Sequence, residues 1–183
     1  MSKEIAIHWF RQDLRIKDNP SLEAASRFDS YIPIYILDDT NAGEFKMGSA
    51  SRWWLHHSLN NLNESLDGNL RFYKGDPNEI IQRLVKDFSI SKIFWNRCYE
   101  PWRIDRDKKI KHELETSNIS VESFCGSLLW EPWNISKDDG TPYRVFTPYY
   151  KKGCLNFDDP RLPVGEPNLS NLISKETDTE GLE

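Results

Sequence analysis

Short apolar runs recur along the chain and alternate with longer amphipathic segments. The first run, Ile5-Ala6-Ile7-His8-Trp9-Phe10, combines β-branched and aromatic residues, which is typical of a buried strand. Comparable runs occupy residues 31–37, 70–73, 92–96 and 120–124. Because helical patterns alternate with these runs, the sequence predicts βαβ units with right-handed crossovers. The predicted fold class is α/β, a Rossmann-like five-stranded parallel sheet with helices on both faces.

Two dipeptides mark the starts of predicted helices. Asn19-Pro20 places a capping side chain before a proline at the first helical position, which predicts a helix that runs through Phe28. Asp76-Pro77 marks a second helix in the same way. That second helix carries apolar residues at helical spacing, namely Ile80, Ile81, Leu84, Val85 and Phe88. A further, strongly charged helix is predicted over residues 103–115.

The segment 49–66 predicts a long helix with one apolar face. Its leucines recur at the spacing of a single helical stripe and are Leu55, Leu59, Leu62 and Leu66. At about 100° per residue, Trp53 and His57 fall on nearly the opposite face. A tryptophan on that face indicates contact with either a ligand or a partner domain.

Charged and polar residues follow the predicted strands at their carboxyl ends. Arg11, Asp13 and Arg15 come after the first strand, Asp38 after the second, and Asn96 ends the fourth. The carboxyl ends of parallel strands meet at one edge of the sheet, where ligands of open α/β folds bind. Arg11, Asp13 and Arg15 could instead form salt bridges that fix the loop after the first strand. Asn96 could instead cap its own turn, because asparagine bonds readily to nearby backbone.

Composition narrows the class of protein. The chain has 183 residues, 38% of them hydrophobic, so it is long enough for one domain with a real core. No apolar run approaches the roughly 20 residues of a membrane-spanning helix, and no signal sequence follows Met1, which favours a cytoplasmic protein. The net charge of −5 argues against DNA binding by this chain alone.

The usual motifs of reaction centres do not occur in the sequence. It contains no glycine-rich phosphate loop, no GxSxG nucleophile turn and no paired Cys/His spacing. The three cysteines, Cys98, Cys125 and Cys154, are scattered and predict neither a disulfide framework nor a zinc site. We therefore expect no catalytic residue and no metal ligand within these residues.

Four ordered segments resemble the amino-terminal part of the DNA photolyase/cryptochrome family. The resemblance lies in Trp9-Phe10-Arg11-Gln12-Asp13-Leu14-Arg15 with Asp18-Asn19-Pro20; Gly48-Ser49-Ala50-Ser51-Arg52 with Leu55-His56-His57-Ser58-Leu59; Asn96 with Tyr99-Glu100-Pro101 and Arg106-Asp107; and Asp139-Gly140 with residues 142–150. The resemblance spans residues 5–152 and stops at the family's α/β antenna domain.

The resemblance implies a division of the family's protein into two parts. Residues 1–157 are expected to form the antenna domain, and residues 158–183 a polar linker or tail toward a flavin-binding helical domain. In the family that second domain binds FAD and damaged DNA, so this chain alone is expected to be an inactive monomer. A photolyase, a cryptochrome-type blue-light receptor and a stand-alone pterin- or flavin-binding protein all remain open.

The resemblance also implies a second, light-harvesting chromophore, either methenyltetrahydrofolate or a deazaflavin. Its predicted contacts are Phe10, Arg11, Leu37, Asp38, Arg52, Trp53, Asn96, Cys98 and Glu100. Arg52 and Glu100 match the deazaflavin-binding relatives, which carry an aspartate in place of Cys98. Folate-binding relatives carry an Asn-Glu pair where this chain has Trp102 and Arg103. Trp53, Trp95 and Trp102 could stack on a pterin, and the chromophore stays undecided.

Overall fold

The computed structural model describes residues 4–175 and confirms the predicted parallel sheet. Its five strands lie in the order β3-β2-β1-β4-β5, and every neighbouring pair is parallel. The strands are β1 (Ile5–Phe10), β2 (Ser30–Leu37), β3 (Arg71–Lys74), β4 (Lys92–Asn96) and β5 (Ser120–Phe124). Strands β1 to β3 are added toward one edge of the sheet, and β4 and β5 are added on the other side of β1. The topological switch point therefore lies between β1 and β4.

Four helices connect the strands. They are α1 (Pro20–Ala25), α2 (Ser49–Ser65), α3 (Pro77–Phe88) and α4 (Pro101–Thr116). The predicted caps are confirmed, because Asn19 accepts from the Leu22 N–H and Asp76 accepts from the Asn78 N–H. Helix α1 ends at Ala25 rather than at Phe28, since the Phe28 N–H bonds to the Ala25 carbonyl in a tighter 3₁₀-type turn.

The helices cover both faces of the sheet, as predicted. Strand residues alternate between the two faces, so Ile7 and Trp9 contact one core and Ala6 and Phe10 the other. Helices α3 and α4 contribute Ile80, Ile81, Leu84, Ile110 and Leu114 to the first core. Helices α1 and α2 contribute Leu22, Ala25, Leu55, Leu59 and Leu62 to the second. The predicted leucine stripe of α2 is therefore confirmed as its buried face.

The described residues form two compact units. One comprises residues 4–126 together with 164–175, and the other comprises residues 127–163. Asn171 donates to the carbonyls of Ser26 and Phe28, and the Ile173 N–H donates to Tyr31 at 3.0 Å. Leu169 and Leu172 pack against the core that contains Phe10, and Ile173 packs against the core that contains Trp9, so residues 164–175 return to the sheet. Residues 176–183 of the predicted tail lie outside the described residues.

The unit of residues 127–163 has little regular structure. One helical turn, Phe146–Pro148, continues into a wide π turn, Tyr149–Gly153, and a 3₁₀ turn, Cys154–Asn156. The side chains of Val145 and Phe146 are 63% and 73% exposed. Both contribute to an exposed apolar surface on this unit.

His8 should make the stability of the fold sensitive to acid. Burial lowers the pKa of His8 from 6.5 to about 4, with Asp13 opposing this shift and Arg11 adding to it. The unfolded chain therefore binds a proton that the folded chain excludes, and stability falls as the pH drops from about 6.5 to 4. We expect a loss of about 3 kcal/mol over that window, measured by urea unfolding at several pH values.

A pair of variants isolates the His8 contribution. His8→Gln removes the titrating group. Around pH 5, the slope of the free energy of unfolding against pH should therefore be smaller in this variant by about 1.4 kcal/mol per pH unit. His112→Gln serves as the control, because His112 is exposed on α4. Equal pH dependence in the His8→Gln and His112→Gln proteins would show that His8 titrates freely in the folded state.

Candidate functional site

A narrow cavity, here called the strand-end slot, lies at the carboxyl ends of β1 and β2 and beside the start of α4. It holds about 50 Å³. Its walls are Trp9, Arg11, Gln12, Tyr35, Ile36, Leu37, Asp38, Asp39, Ala42, Phe45, Met47, Trp102, Arg103 and Arg106. The slot occupies the edge of the sheet at which the sequence predicts a ligand.

Buried ion pairs form one wall of the strand-end slot. Arg106 Nη1 lies 3.0 Å from Asp38 Oδ2, and Arg106 Nη2 lies 2.8 Å from Asp107 Oδ1. Arg11 also pairs with Asp107, so one carboxylate joins two guanidinium groups. Burial acts to lower the pKa of Arg106, but Asp107 and Asp38 outweigh it and raise that pKa. The wall is therefore charged, tightly held and resistant to collapse into the slot.

Guanidinium groups also lie over the indole rings that line the slot. The Arg106 guanidinium carbon is 4.9 Å from the Trp9 ring centre and 5.2 Å from that of Trp102. Arg103 lies 4.8 Å from the Trp102 ring centre, and Arg11 lies 5.2 Å from that of Trp9. Such cation–π contacts hold flat surfaces in fixed orientations. The slot thus combines rigid aromatic walls with cationic groups.

Several buried donors at the slot have no partner among the described residues. They are Trp9 Nε1 and two guanidinium nitrogens of Arg11, Nε and Nη2. Trp9 is 1% exposed and Arg11 is 6% exposed, so both residues are largely shielded from bulk water. A buried donor without a partner costs about 1–3 kcal/mol. Two residues of the slot wall therefore carry donors that no described residue satisfies.

Three of the predicted site residues come together in the slot, and Phe10 does not join them. Arg11, Leu37 and Asp38 line the cavity. Phe10 points to the opposite face of the sheet, where it is fully buried with Leu22 and the leucines of α2. The alternation of side chains along β1 explains the difference, because Trp9 takes the position facing the slot.

Asn96 lies in a buried polar network rather than in the slot. Its Nδ2 donates to Asp13 Oδ2 at 2.6 Å and to Asn19 Oδ1 at 2.7 Å. Asn19 in turn caps α1, so the network ties the ends of β1 and β4 to that helix. A Cβ atom at Gly126 would overlap the Asn96 side chain, which explains the glycine there. The Asn96 side chain therefore bonds to residues distant in sequence rather than to its own turn.

Cys98 and Glu100 lie behind the slot and contact its lining residues. Glu100 Oε1 accepts from Gln12 Nε2 at 2.7 Å and lies 3.7 Å from Arg103 Nε. Burial acts to raise the pKa of Glu100, but backbone N–H donors, Arg103 and Gln12 together lower it. Arg103 Nη1 also lies 3.6 Å from the buried Cys98 sulfur. Both residues therefore position Arg103 rather than line the cavity themselves.

Arg52 and Trp53, at the start of α2, are placed very differently. Arg52 Nη2 lies 2.7 Å from Asp39 Oδ1, and this hydrogen bond is the main cause that lowers the pKa of Asp39. Trp53 is 64% exposed and contacts the His57 ring at 4.5 Å between centres. Trp53 lines neither the slot nor the groove described below.

The sequence interpretation overlooked the residues that complete the slot. Arg106 was quoted only as part of a motif, although Arg106 is buried against Asp38 from a distant helix. Tyr35 forms another wall, and burial raises its pKa to about 12. Trp95, a predicted stacking residue, packs edge-on against Trp9 in the core and does not line the slot. Trp102 does line it.

A second, wider cavity lies between α2 and the edge strand β3, and we call it the α2–β3 groove. It holds about 390 Å³. Its lining residues are Leu37, Arg52, Leu55, His56, Leu59, Asn60, Phe72 and Lys74. Only Leu37 and Arg52 of these were predicted as site residues. The side chains from β3 and the middle of α2 meet here only through folding.

Among residues 4–175, no group of three or more His, Cys, Asp and Glu side chains is arranged to hold a metal ion. Within the same residues, none of the helices has the length and apolar character needed to cross a membrane.

Comparison with known proteins identifies the family that shares this sequence and fold. Residues 6–168 match the family described as DNA photolyase. The deoxyribodipyrimidine photo-lyase of Agrobacterium fabrum is 39% identical over 165 residues, which are 88% of this chain and 34% of the relative. Cryptochrome-2 of Arabidopsis thaliana is 39% identical over 154 residues, or 82% of this chain and 25% of the relative.

The three-dimensional comparison agrees with the sequence comparison. The crystal structure of a bacterial class III photolyase from Agrobacterium tumefaciens superimposes with a TM-score of 0.86 and 34% identity. The match covers 99% of this chain and 37% of that structure. The chain therefore spans about a third of the length of the proteins to which it is similar.

Proposed function

The chain belongs to the DNA photolyase family, and we propose that it is the amino-terminal domain of a deoxyribodipyrimidine photolyase. In that enzyme, light would drive the repair of UV-damaged DNA. The role of this part is to position an antenna chromophore and to support a flavin-binding domain. The identity of 39% to a deoxyribodipyrimidine photo-lyase and the TM-score of 0.86 to a class III photolyase support this proposal.

The set of unpartnered buried donors at the strand-end slot carries the antenna part of the proposal. Trp9 Nε1 and the two free nitrogens of Arg11 suit the carbonyl or carboxylate oxygens of a folate or a deazaflavin. Trp102 offers a flat wall, and Asp38 holds Arg106 in place. When bound, the chromophore would supply absorption of light, while these residues would orient it and keep water from its polar edge. Methenyltetrahydrofolate and a deazaflavin are both compatible with these donors.

The proposed partner is a helical domain that holds FAD and contacts the damaged DNA. Relatives are about three times longer than the match, which leaves ample length for such a domain. The unit of residues 127–163 exposes several large apolar side chains, of which Leu129, Phe146 and Leu155 line one shallow cavity. Apolar surface of this kind marks contacts between proteins or domains. The charge of −5 supports DNA contact through the partner rather than through this chain.

A cryptochrome-type blue-light receptor is the second candidate. The observation that favours it is the identity of 39% to a plant cryptochrome, which equals the identity to the bacterial photolyase. The strand-end slot would serve either protein, because light harvesting and signalling use the same antenna domain in both proposals.

Two tryptophan variants test chromophore binding at the slot. Trp102→Ala should weaken binding of methenyltetrahydrofolate or a deazaflavin by about tenfold, because it removes one wall of the slot that would hold a polar end of the ligand. Binding is measured by titration of the chain and by the change in ligand absorption and fluorescence. Trp53→Ala is the matched control, since Trp53 is exposed and lines neither cavity.

The two variants distinguish the slot from the outer face of α2. Equal affinities of Trp102→Ala and the unmodified chain would refute binding at the slot. A selective loss in Trp53→Ala would instead support the sequence prediction that Trp53 stacks on the chromophore. Absence of binding to either ligand would refute the antenna function for this chain.

A further inference from the structure

The strand-end slot alone is too small for an aromatic ring system. Its 50 Å³ compares with about 30 Å³ for one water molecule in the liquid. Pockets that enclose drug-sized ligands hold about 300–1,000 Å³. The slot therefore has room for one or two polar groups of a ligand, and the rest of that ligand must lie elsewhere.

The α2–β3 groove has the size and the surface to hold that remainder. Its 390 Å³ falls within the range of ligand pockets. Leu37, Leu55, Leu59 and Phe72 provide an apolar floor, and Phe72 offers the edge or face of a ring. An apolar floor with a polar rim is the usual composition of sites for small aromatic molecules.

Charge distinguishes the groove from the rest of the chain. Arg52 and Lys74 are the charged residues that line it, and His56 and Asn60 complete the polar rim. None of the groove's eight lining residues is acidic, although the whole chain has a net charge of −5. Because Arg52 is paired with Asp39, Lys74 supplies the positive charge beside the apolar floor, a combination that favours a flat, negatively charged ligand.

Contacts place the groove next to the slot. Leu37 lines both cavities. Arg52, which lines the groove, donates to the Met47 carbonyl at 3.0 Å and to Asp39 at 2.7 Å, and both of those residues line the slot. Arg52 therefore stands at the boundary between the two cavities.

We propose that the α2–β3 groove binds the planar heteroaromatic part of an anionic ligand whose hydrogen-bond-accepting end enters the strand-end slot. This inference rests on the proposed antenna function and assigns a second subsite to the same chromophore. The slot supplies the buried donors of Trp9 and Arg11, and the groove supplies the apolar floor and the charge of Lys74.

Adjacent asparagines on α2 provide a matched steric test. Asn60 is exposed and lines the groove, whereas Asn61 is exposed on the same helix and does not line it. Asn60→Trp should fill the groove and weaken binding of 5,10-methenyltetrahydrofolate or a deazaflavin by at least about tenfold. Asn61→Trp should bind as the unmodified chain does, and circular dichroism verifies that both proteins fold.

Charge reversal tests the electrostatic part of the proposal. Lys74→Glu should weaken binding of the anionic folate by about fivefold and reduce its dependence on salt. Lys109→Glu is the control, because Lys109 is exposed on α4, whose core residues pack on the opposite face of the sheet. Both variants change the net charge equally, so a general charge effect would appear in both.

The outcomes separate this inference from the antenna function itself. Losses in Asn60→Trp and Lys74→Glu, but not in their controls, would support the groove. Binding that depends on Trp102 and is indifferent to Asn60→Trp would overturn the groove and leave the antenna function intact. A chain that binds neither ligand would overturn both.

Discussion

Asp13→Ala should destabilise the chain by about 3–5 kcal/mol, because it removes the central acceptor of a buried network. Asp13 Oδ1 accepts from the Arg11 N–H at 2.9 Å, and Asp13 Oδ2 accepts from Asn96 at 2.6 Å and from Asn19 at 3.2 Å. The variant leaves those donors without this acceptor in a site that is shielded from water. Urea unfolding followed by circular dichroism measures the loss.

The size of that loss distinguishes a network from an ordinary surface carboxylate. Asp87→Ala is the control, because Asp87 is exposed near the end of α3 and should change stability by less than about 0.5 kcal/mol. A loss below about 1 kcal/mol in Asp13→Ala would mean that water replaces the carboxylate and that the network adds little.

Arg106→Gln should cost about 3–5 kcal/mol of stability and should also weaken chromophore binding. Arg106 is the cation between Asp38 and Asp107, and the side chain of Asp38 is only 4% exposed. Glutamine is shorter and neutral, so it leaves the buried Asp38 carboxylate without a positive partner. Unfolding and ligand titration together measure the two effects.

Arg103→Gln on the same helix is the informative control for Arg106→Gln. Arg103 also lines the slot, but its nearest carboxylate is the half-exposed Glu100 at 3.7 Å. We expect Arg103→Gln to cost less than about 1 kcal/mol. We attribute the larger loss of stability in Arg106→Gln to the burial of its ion pair with Asp38. Equal losses in the two variants would contradict this explanation and would indicate that any positive charge in the slot contributes equally.

The expected losses of stability in Asp13→Ala and Arg106→Gln have a common structural origin in the buried polar contacts around the slot. The Asp13 carboxylate accepts three hydrogen bonds within the protein, and the pairs of Arg106 hold the wall of the slot. The donors of Trp9 and Arg11 are left without protein partners beside them. A frame held by buried hydrogen bonds and ion pairs can keep its shape beside donors that have no protein partner.

The sequence alone determined the architecture. Apolar runs bounded by polar residues located all five strands to within a residue or so, and Asn19 and Asp76 located two helix starts. These features could be predicted because periodicity and capping are local properties, decided by residues within one turn or one strand. The four ordered motifs likewise identified the family, which the match over residues 6–168 confirmed.

Only the tertiary structure decided which polar residues share a cavity. Arg106 meets Asp38 across 68 positions of sequence, and Lys74 joins Asn60 through packing of α2 against the edge of the sheet. The same packing turns Phe10 into the core, ties Asn96 to Asp13 and leaves Trp53 exposed. Periodicity states which face of an element a side chain occupies, but the partner across that face depends on how distant elements pack, and no local pattern encodes it.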